Sequence, residues 1–254
     1  MRLWSLRHQI GYALLGVGFL ALLVGIPITL TLLGRSPTCF DRMQNQGEGG
    51  VDCGGPCTLL CSAEAESPVI LWARATRVTK TVYNAAVLIE NRNAGAGARN
   101  VPYSFKLYDS RNVLILEERG VVTLPPQTRI PIFAGGLVVG GRPPARTFFE
   151  FTDEPVWETM EHRAAALTVQ NVSLSNEMVA PRVTAELVNT GVETIRDITV
   201  VALLYSIEGS IVATSRTVVD QLDKNRVATI TFTWPEPLAA RVGKIDLFPS
   251  VPIE

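Results

Sequence analysis

Three regimes of hydrophobic patterning divide the chain. From Ile10 to Leu33, "IGYALLGVGFLALLVGIPITLTLL", 24 residues carry no charge at all. A helix needs roughly 20 apolar residues to cross a hydrocarbon core of ~30 Å, so this run predicts one transmembrane helix. Pro27 would break a soluble helix but is tolerated in a spanning one. Between residues 36 and 64 the apolar density collapses, and glycines and cysteines take over. From about residue 66 onward a third pattern appears, with apolar and polar positions alternating every second residue. In "RVTAELV", Val183, Ala185 and Leu187 alternate with Thr184 and Glu186. In "ATITFTW", Ala228, Ile230, Phe232 and Trp234 alternate with three threonines. A period of two marks half-buried strands.

The third region is written twice. "NAAVLIENRNAGAGARNVPYSFKLYD" and "RVTAELVNTGVETIRDITVVALLYS" align at an offset of about 97 residues, which sets Asn91 on Asn189, Arg99 on Arg196, Leu107-Tyr108 on Leu204-Tyr205 and Arg129 on Arg226. Solenoid repeats run ~20–50 residues, so this period signals two copies of one domain. Turn signals at "NTGVET", "SIEGS" and "LDKNR" separate the strands, and their spacing suits a sandwich or barrel. Clean alternation and short turns predict antiparallel sheets with one wet face. About 90 residues per copy suits a seven-stranded immunoglobulin-like sandwich. The expected architecture is therefore mainly β: a cytoplasmic tail at 1–9, a transmembrane helix at 10–33, a cysteine-rich segment at 36–64, and two tandem sandwiches at 66–158 and 163–254. The stretch "ETMEHRAAA", 158–166, is the one candidate for a soluble helix, or else plain linker.

The strand "FKLYD", carrying Phe105, Leu107, Tyr108 and Asp109, resembles the motif that names the FxLYD domain. The second copy keeps Leu204 and Tyr205 but has Ala202 for the Phe and Ser206 for the Asp. It is as similar to the CARDB class of adhesion-related domains, through "VTAELVNTG" and "ATITFTW". Both resemblances imply immunoglobulin-like sandwiches in exported or surface-attached prokaryotic proteins. They carry fold more than function, because sandwiches host many unrelated activities. Read as residues, Phe105 and Leu107 share a strand face directed at the core. Asp109 opens a turn in which its carboxylate can accept backbone N–H bonds.

Charge places the chain relative to a membrane. Arg2, Arg7 and His8 precede the uncharged run and only Arg35 follows it closely, so the N-terminus is expected inside and the bulk outside an inner membrane. A cleaved signal peptide or a lipidated Cys39 suits the run less well, since it is too long and "SPTC" lacks a lipobox aliphatic residue. Net charge over the whole chain is −1 and no basic stripe exists, which removes the footprint expected for nucleic-acid binding.

Candidate chemistry is sparse. His162 is the only histidine beyond the uncharged run, in the expected linker, and a Ser or Cys nucleophile without a base close by is inert. The glycine clusters lack the G-K-[ST] of a phosphate loop. No enzyme is expected. All four cysteines lie in "CFDRMQNQGEGGVDCGGPCTLLC": Cys39, Cys53, Cys57 and Cys61. On the exported side they predict two disulfides, in one of three connectivities. Zinc knuckles and redox pairs would want C-x-x-C, which is absent. Asp41, Asn45, Glu48 and Asp52 punctuate the same stretch. They either hold a hard cation such as calcium or brace their own backbone. The stretch resembles a cysteine motif of secreted prokaryotic proteins, C-x-D-x3-N-x2-E-x3-D-C-G-G-x-C.

The expected role is that of a membrane-anchored envelope protein presenting two sandwiches to another envelope protein, a glycan or a second copy. The alternative is an accessory subunit of a membrane export or envelope-assembly complex.

Overall fold

The computed structural model describes the backbone of residues 2–33, 38–161 and 166–252; within the first range it describes the side chains of residue 12 and residues 14–28. His162 and Arg35 lie outside the described residues. The chain divides into two compact units, Met1–Thr58 and Leu59–Glu254.

The first unit opens with α1 (Arg2–Leu33), which runs through Pro27 and has no acidic residue in its first turn. Its apolar side chains are open along their length, from Leu14, 67% exposed, to Ile28, 50% exposed. Among the described residues no helix is long and apolar enough to cross a membrane. The remainder of the unit is a loop of tight turns.

The second unit holds both sequence repeats, each a pair of antiparallel sheets face to face. In the first, β1 (Val69–Arg77), β2 (Val82–Asn91) and β5 (Thr128–Val138) form one sheet, ordered β1-β2-β5. β4 (Leu114–Leu124), β3 (Ala96–Tyr108) and β6 (Arg146–Phe151) form the other, and the short β7 (Trp157–Thr159) pairs with the start of β3. In the second repeat, β8 (Leu167–Ser175), β9 (Arg182–Asn189) and β12 (Val227–Thr233) face β11 (Ile211–Leu222), β10 (Ile195–Ser206) and β13 (Val242–Ser250). Among the described residues the second copy thus has six strands, with none in the place of β7. The helix considered at 158–166 does not form over its described part. Glu158 and Thr159 are strand, and Met160 is buried, its N–H bonded to the Gly95 carbonyl.

Each sandwich has its own core. Phe105, Leu107, Val87, Ile89 and Phe149 fill the first. Val183, Leu187, Val200, Leu204, Ile230 and Phe232 fill the second. Both are built from the inward positions of the period-two pattern. Phe149 and Phe151 of β6 ring the first core with Tyr103 and Phe105.

One expectation fails. The strands were expected to keep one wet face, yet β2 and β10 are buried on both. Ala86 and Leu88 on the outer face of β2 meet Val201 and Leu203 of β10, with Trp72, Phe133, Tyr205, Ile211 and Phe248 packed around them. The two sandwiches are therefore joined sheet to sheet. Polar bonds set the register of this seam: Asn84 Nδ2 donates to the Thr214 carbonyl (2.9 Å), and the Thr76 and Thr214 hydroxyls share a bond of 3.0 Å. Burial of apolar surface, at about 25 cal/mol per Å², contributes to holding the two sandwiches together here.

Candidate functional site

The cysteine loop is a network of side chains folded onto their own backbone. Cys39 pairs with Cys57, the first cysteine with the third. Cys53 and Cys61 are disulfide-bonded as well, and no described cysteine is free. Asp52 accepts from the N–H groups of Asp41 (3.0 Å) and Arg42 (3.1 and 3.0 Å to its two oxygens). Asp41 accepts from the Met43 N–H (2.9 Å), the Thr38 N–H (3.3 Å) and Asn45 Nδ2 (2.9 Å). Glu48 is buried, and its Oε2 accepts from the N–H groups of Asn45 (3.2 Å) and Asp52 (3.3 Å). The chain can turn this tightly because Gly55 sits at φ +58°; a Cβ there would lie 2.2 Å from the Gly47 carbonyl oxygen.

Backbone N–H groups point at the carboxylate oxygens of Asp41, Glu48 and Asp52. Asn45 Oδ1 is the one buried side-chain oxygen without a protein partner among the described residues. Glu48 Oε1 also lies 3.2 Å from Cys57 Sγ, with Cys39 close by. Both sulfurs are consumed by their disulfide, so neither can serve as the thiolate a zinc ion would need. The loop is self-braced.

The strand motifs of the two repeats do the same work with different residues. Phe105 and Leu107 are fully buried, as are Ala202 and Leu204 at the matching positions. Asp109 Oδ1 accepts from the N–H groups of Arg111 and Val113, both at 2.9 Å. These bonds, that to Val113 first, hold the Asp109 carboxyl below its ordinary pKa. In the second copy Ser206 Oγ accepts from the Ser210 N–H (3.3 Å), the same four-residue closure. The tyrosines diverge. Tyr108 stands edge-on to Phe148 on the outer face of its sheet, while Tyr205 meets Trp72 across the seam. Burial raises the pKa of the Tyr205 hydroxyl.

Asn91 and Asn189 form a second repeated device. Asn91 Nδ2 donates to the carbonyls of Ala96 (2.9 Å), Leu124 (3.4 Å) and Pro125 (2.8 Å), and its Oδ1 accepts from the Asn93 N–H (3.0 Å). Asn189 Nδ2 donates to Glu193 (2.8 Å) and Leu222 (3.0 Å), and its Oδ1 accepts from the Gly191 N–H (2.9 Å). Each amide ties the turn after one strand to the end of a strand in the facing sheet.

A concavity lies along the seam. It encloses about 590 Å³ between Val121, Ile130 and Phe133 of the first sandwich and Val201, Phe248 and Pro249 of the second. Its ionisable lining groups are Arg129, Asp197 and Arg216. Arg129 is paired with Glu90, and the Arg216 guanidinium lies over the Phe133 ring, 5.6 Å from its centroid. Sequence reasoning placed neither this cleft nor the seam beside it. The available signal was the continuous apolar run of "NAAVLI" and "ITVVALLY", which alternation alone does not explain.

No family model matches the chain, and no curated protein does. Solved structures match only distantly. A red sea bream transglutaminase aligns over 73% of this chain and 29% of its own, at 10% identity and a TM-score of 0.24. A β-glucuronidase of glycoside hydrolase family 2 aligns over 84% and 28%, at 9% identity and 0.22. The tandem CBM22-1–CBM22-2 domain of Paenibacillus barcinonensis Xyn10C aligns over 76% and 93%, at 8% identity and 0.16. The chain thus spans less than a third of the first two, and TM-scores this low carry no argument about fold or activity.

Proposed function

We propose that this protein is a membrane-anchored, extracytoplasmic binding or structural component of the cell envelope, which holds a rigid pair of immunoglobulin-like, FxLYD- and CARDB-like sandwiches toward a protein or glycan. The observation that carries the reading is the disulfide-bonded loop that directly follows an uncharged stretch. Disulfides persist in oxidising compartments. The cysteines begin six residues after Leu33, on the side of the stretch that the arginines at 2 and 7 assign to the exterior. In this reading residues 10–33 are a single span with the N-terminus inside, and the loop is a spacer stiffened by its bridges.

Recognition falls to the sandwich surfaces and loops, since a rigid scaffold bearing loops is the usual platform for binding. The test is membrane extraction combined with protease access in cells that express the full chain. The protein should stay in the membrane pellet through an alkaline carbonate wash, and protease added outside spheroplasts should digest its sandwiches. Release by the wash, or protection from the protease, would overturn the anchored, outward-facing reading.

A further inference from the structure

The two sandwiches present their loops at a shared end. Arg77, the last residue of β1, pairs with Glu236 in the β12–β13 loop (3.5 Å). Around that contact, the first sandwich gathers its loops 78–81, 109–113 and 139–145. They are tied by bonds from the Val139 N–H to the Thr81 carbonyl (3.0 Å) and from the Ala145 N–H to the Tyr108 carbonyl (2.8 Å). The second gathers 176–181, 207–210 and 235–241, where Glu177 Oε1 accepts from the Val242 N–H (2.9 Å). The opposite end of the pair is where the chain arrives, along residues 59–66: the Leu60 N–H bonds to the Trp157 carbonyl (2.9 Å), and the Glu66 N–H to Asn93 Oδ1 (2.7 Å).

The shared end is apolar at its tips and divided in charge. Met178, Val179 and Ile207 are 79%, 73% and 70% exposed, although each is a residue type that favours burial. They stand on adjoining loops of one sandwich. The loops of the first sandwich carry Lys80, Arg111 and Arg142 against Asp109; those of the second carry Glu177 and Glu208 against Arg241, with Glu236 already paired to Arg77. One half of the surface is therefore net basic and the other net acidic. A two-fold axis along the boundary between the halves lays each half on its opposite in the partner and sets the apolar tips of sandwich 2 against the loops of the partner's sandwich 1. Isologous contacts require this self-complementarity.

We propose that this end docks a second copy of the same chain, the loops of sandwich 1 meeting those of sandwich 2 in a two-fold, tip-to-tip dimer. The inference names a partner for the presented surface and is independent of the anchor: a monomeric result would leave the membrane reading intact. Opposite charges steer the encounter and set its register, while the apolar tips supply the contact that salt does not screen.

Sedimentation velocity of the full chain in mild detergent tests it. The dimer fraction should rise with protein concentration and fall with added salt. Met178→Asp combined with Ile207→Asp should abolish the dimer, with circular dichroism unchanged because both sites are exposed. Reversing one half with K80E/R142E, or the other with E208K, should leave each variant monomeric alone. Mixing the two variants should restore a dimer, an outcome that a misfolded variant could not produce. A wild-type chain that stays monomeric throughout overturns the proposal. So does a dimer indifferent to the tip substitutions, or a charge-reversed pair that fails to recombine.

Discussion

At the scale of single residues, the repeats keep roles more faithfully than identities. Asp109 and Ser206 differ in charge and size, yet each places an oxygen where it accepts from the N–H four residues on. Only the carboxylate version is sensitive to pH. Its pKa is lowered in the folded state, so its stabilisation is present above the ordinary carboxylate value and is lost as pH falls through the depressed one. The Asp109→Asn variant keeps an acceptor but no charge. Its thermal midpoint should approach that of wild type as pH drops below about 4 and fall short of it at neutral pH; parallel profiles would remove the carboxylate from the account. The asparagine clamps make a second test. Asn189 is fully buried, and Asn189→Ala would leave the Glu193 and Leu222 carbonyls without their partner. A loss of about 2–3 kcal/mol is expected in a urea titration. From sequence the Asn pair reads as a turn signal, and the turn is there. The cross-sheet reach of the amide is set by distances that only the folded sandwich defines.

At the scale of elements, strands announced by strict alternation are legible, and strands announced by continuous apolarity are not. β9 and β12, with Val183, Leu187, Ile230 and Phe232 inward and threonines outward, follow the period of two. β10 was legible on one face only: Ile198, Val200, Ala202 and Leu204 were assigned to the core, while Val201, Leu203 and Tyr205 had no partner until the first sandwich supplied one. A local pattern reports that a side chain is apolar, not which distant surface covers it. The same limit explains β7, where "WET" carries too few residues to show a period, and its Trp157 is placed by packing against Ala96, Ala98 and Leu124. Leu203 measures what the seam is worth. Leu203→Ala removes a fully buried side chain from it, at a cost of about 3 kcal/mol. Wild type should unfold in one step by two probes: tryptophan emission, to which Trp72 reports from the seam, and far-ultraviolet circular dichroism. In Leu203→Ala the emission change should come first. Coincident curves at an unchanged midpoint would mean that the seam contributes nothing.

At the scale of the whole molecule, sequence reading reached the division into an uncharged helix, a cysteine loop and two β repeats. The loop's candidate ligands were recognised as a group, with bracing of their own backbone as one of two readings left open. Composition cannot tell a carboxylate that awaits a cation from one already facing backbone N–H groups, as Asp52 faces those of Asp41 and Arg42. The boundary between the loop and the first sandwich also shifts. Residues 59–66 were assigned largely to the cysteine segment, yet Leu60 and Ala65 pack into the first sandwich. What lies beyond Leu59 is thus continuous with the β structure rather than a free tether.

The doubly buried strands carry a consequence for the history of the chain. Tandem duplication ordinarily leaves two self-sufficient copies, either of which can later be deleted. Here Ala86 and Leu88 on one side and Val201 and Leu203 on the other have become mutual clients, and a lone copy of either would display a greasy sheet to water. Once those positions turned apolar, deletion of one half ceased to be a neutral event. The seam acts as a ratchet on gene architecture: relatives that retain aliphatic residues at both sets of positions should retain both repeats, and single-repeat relatives should carry polar residues there.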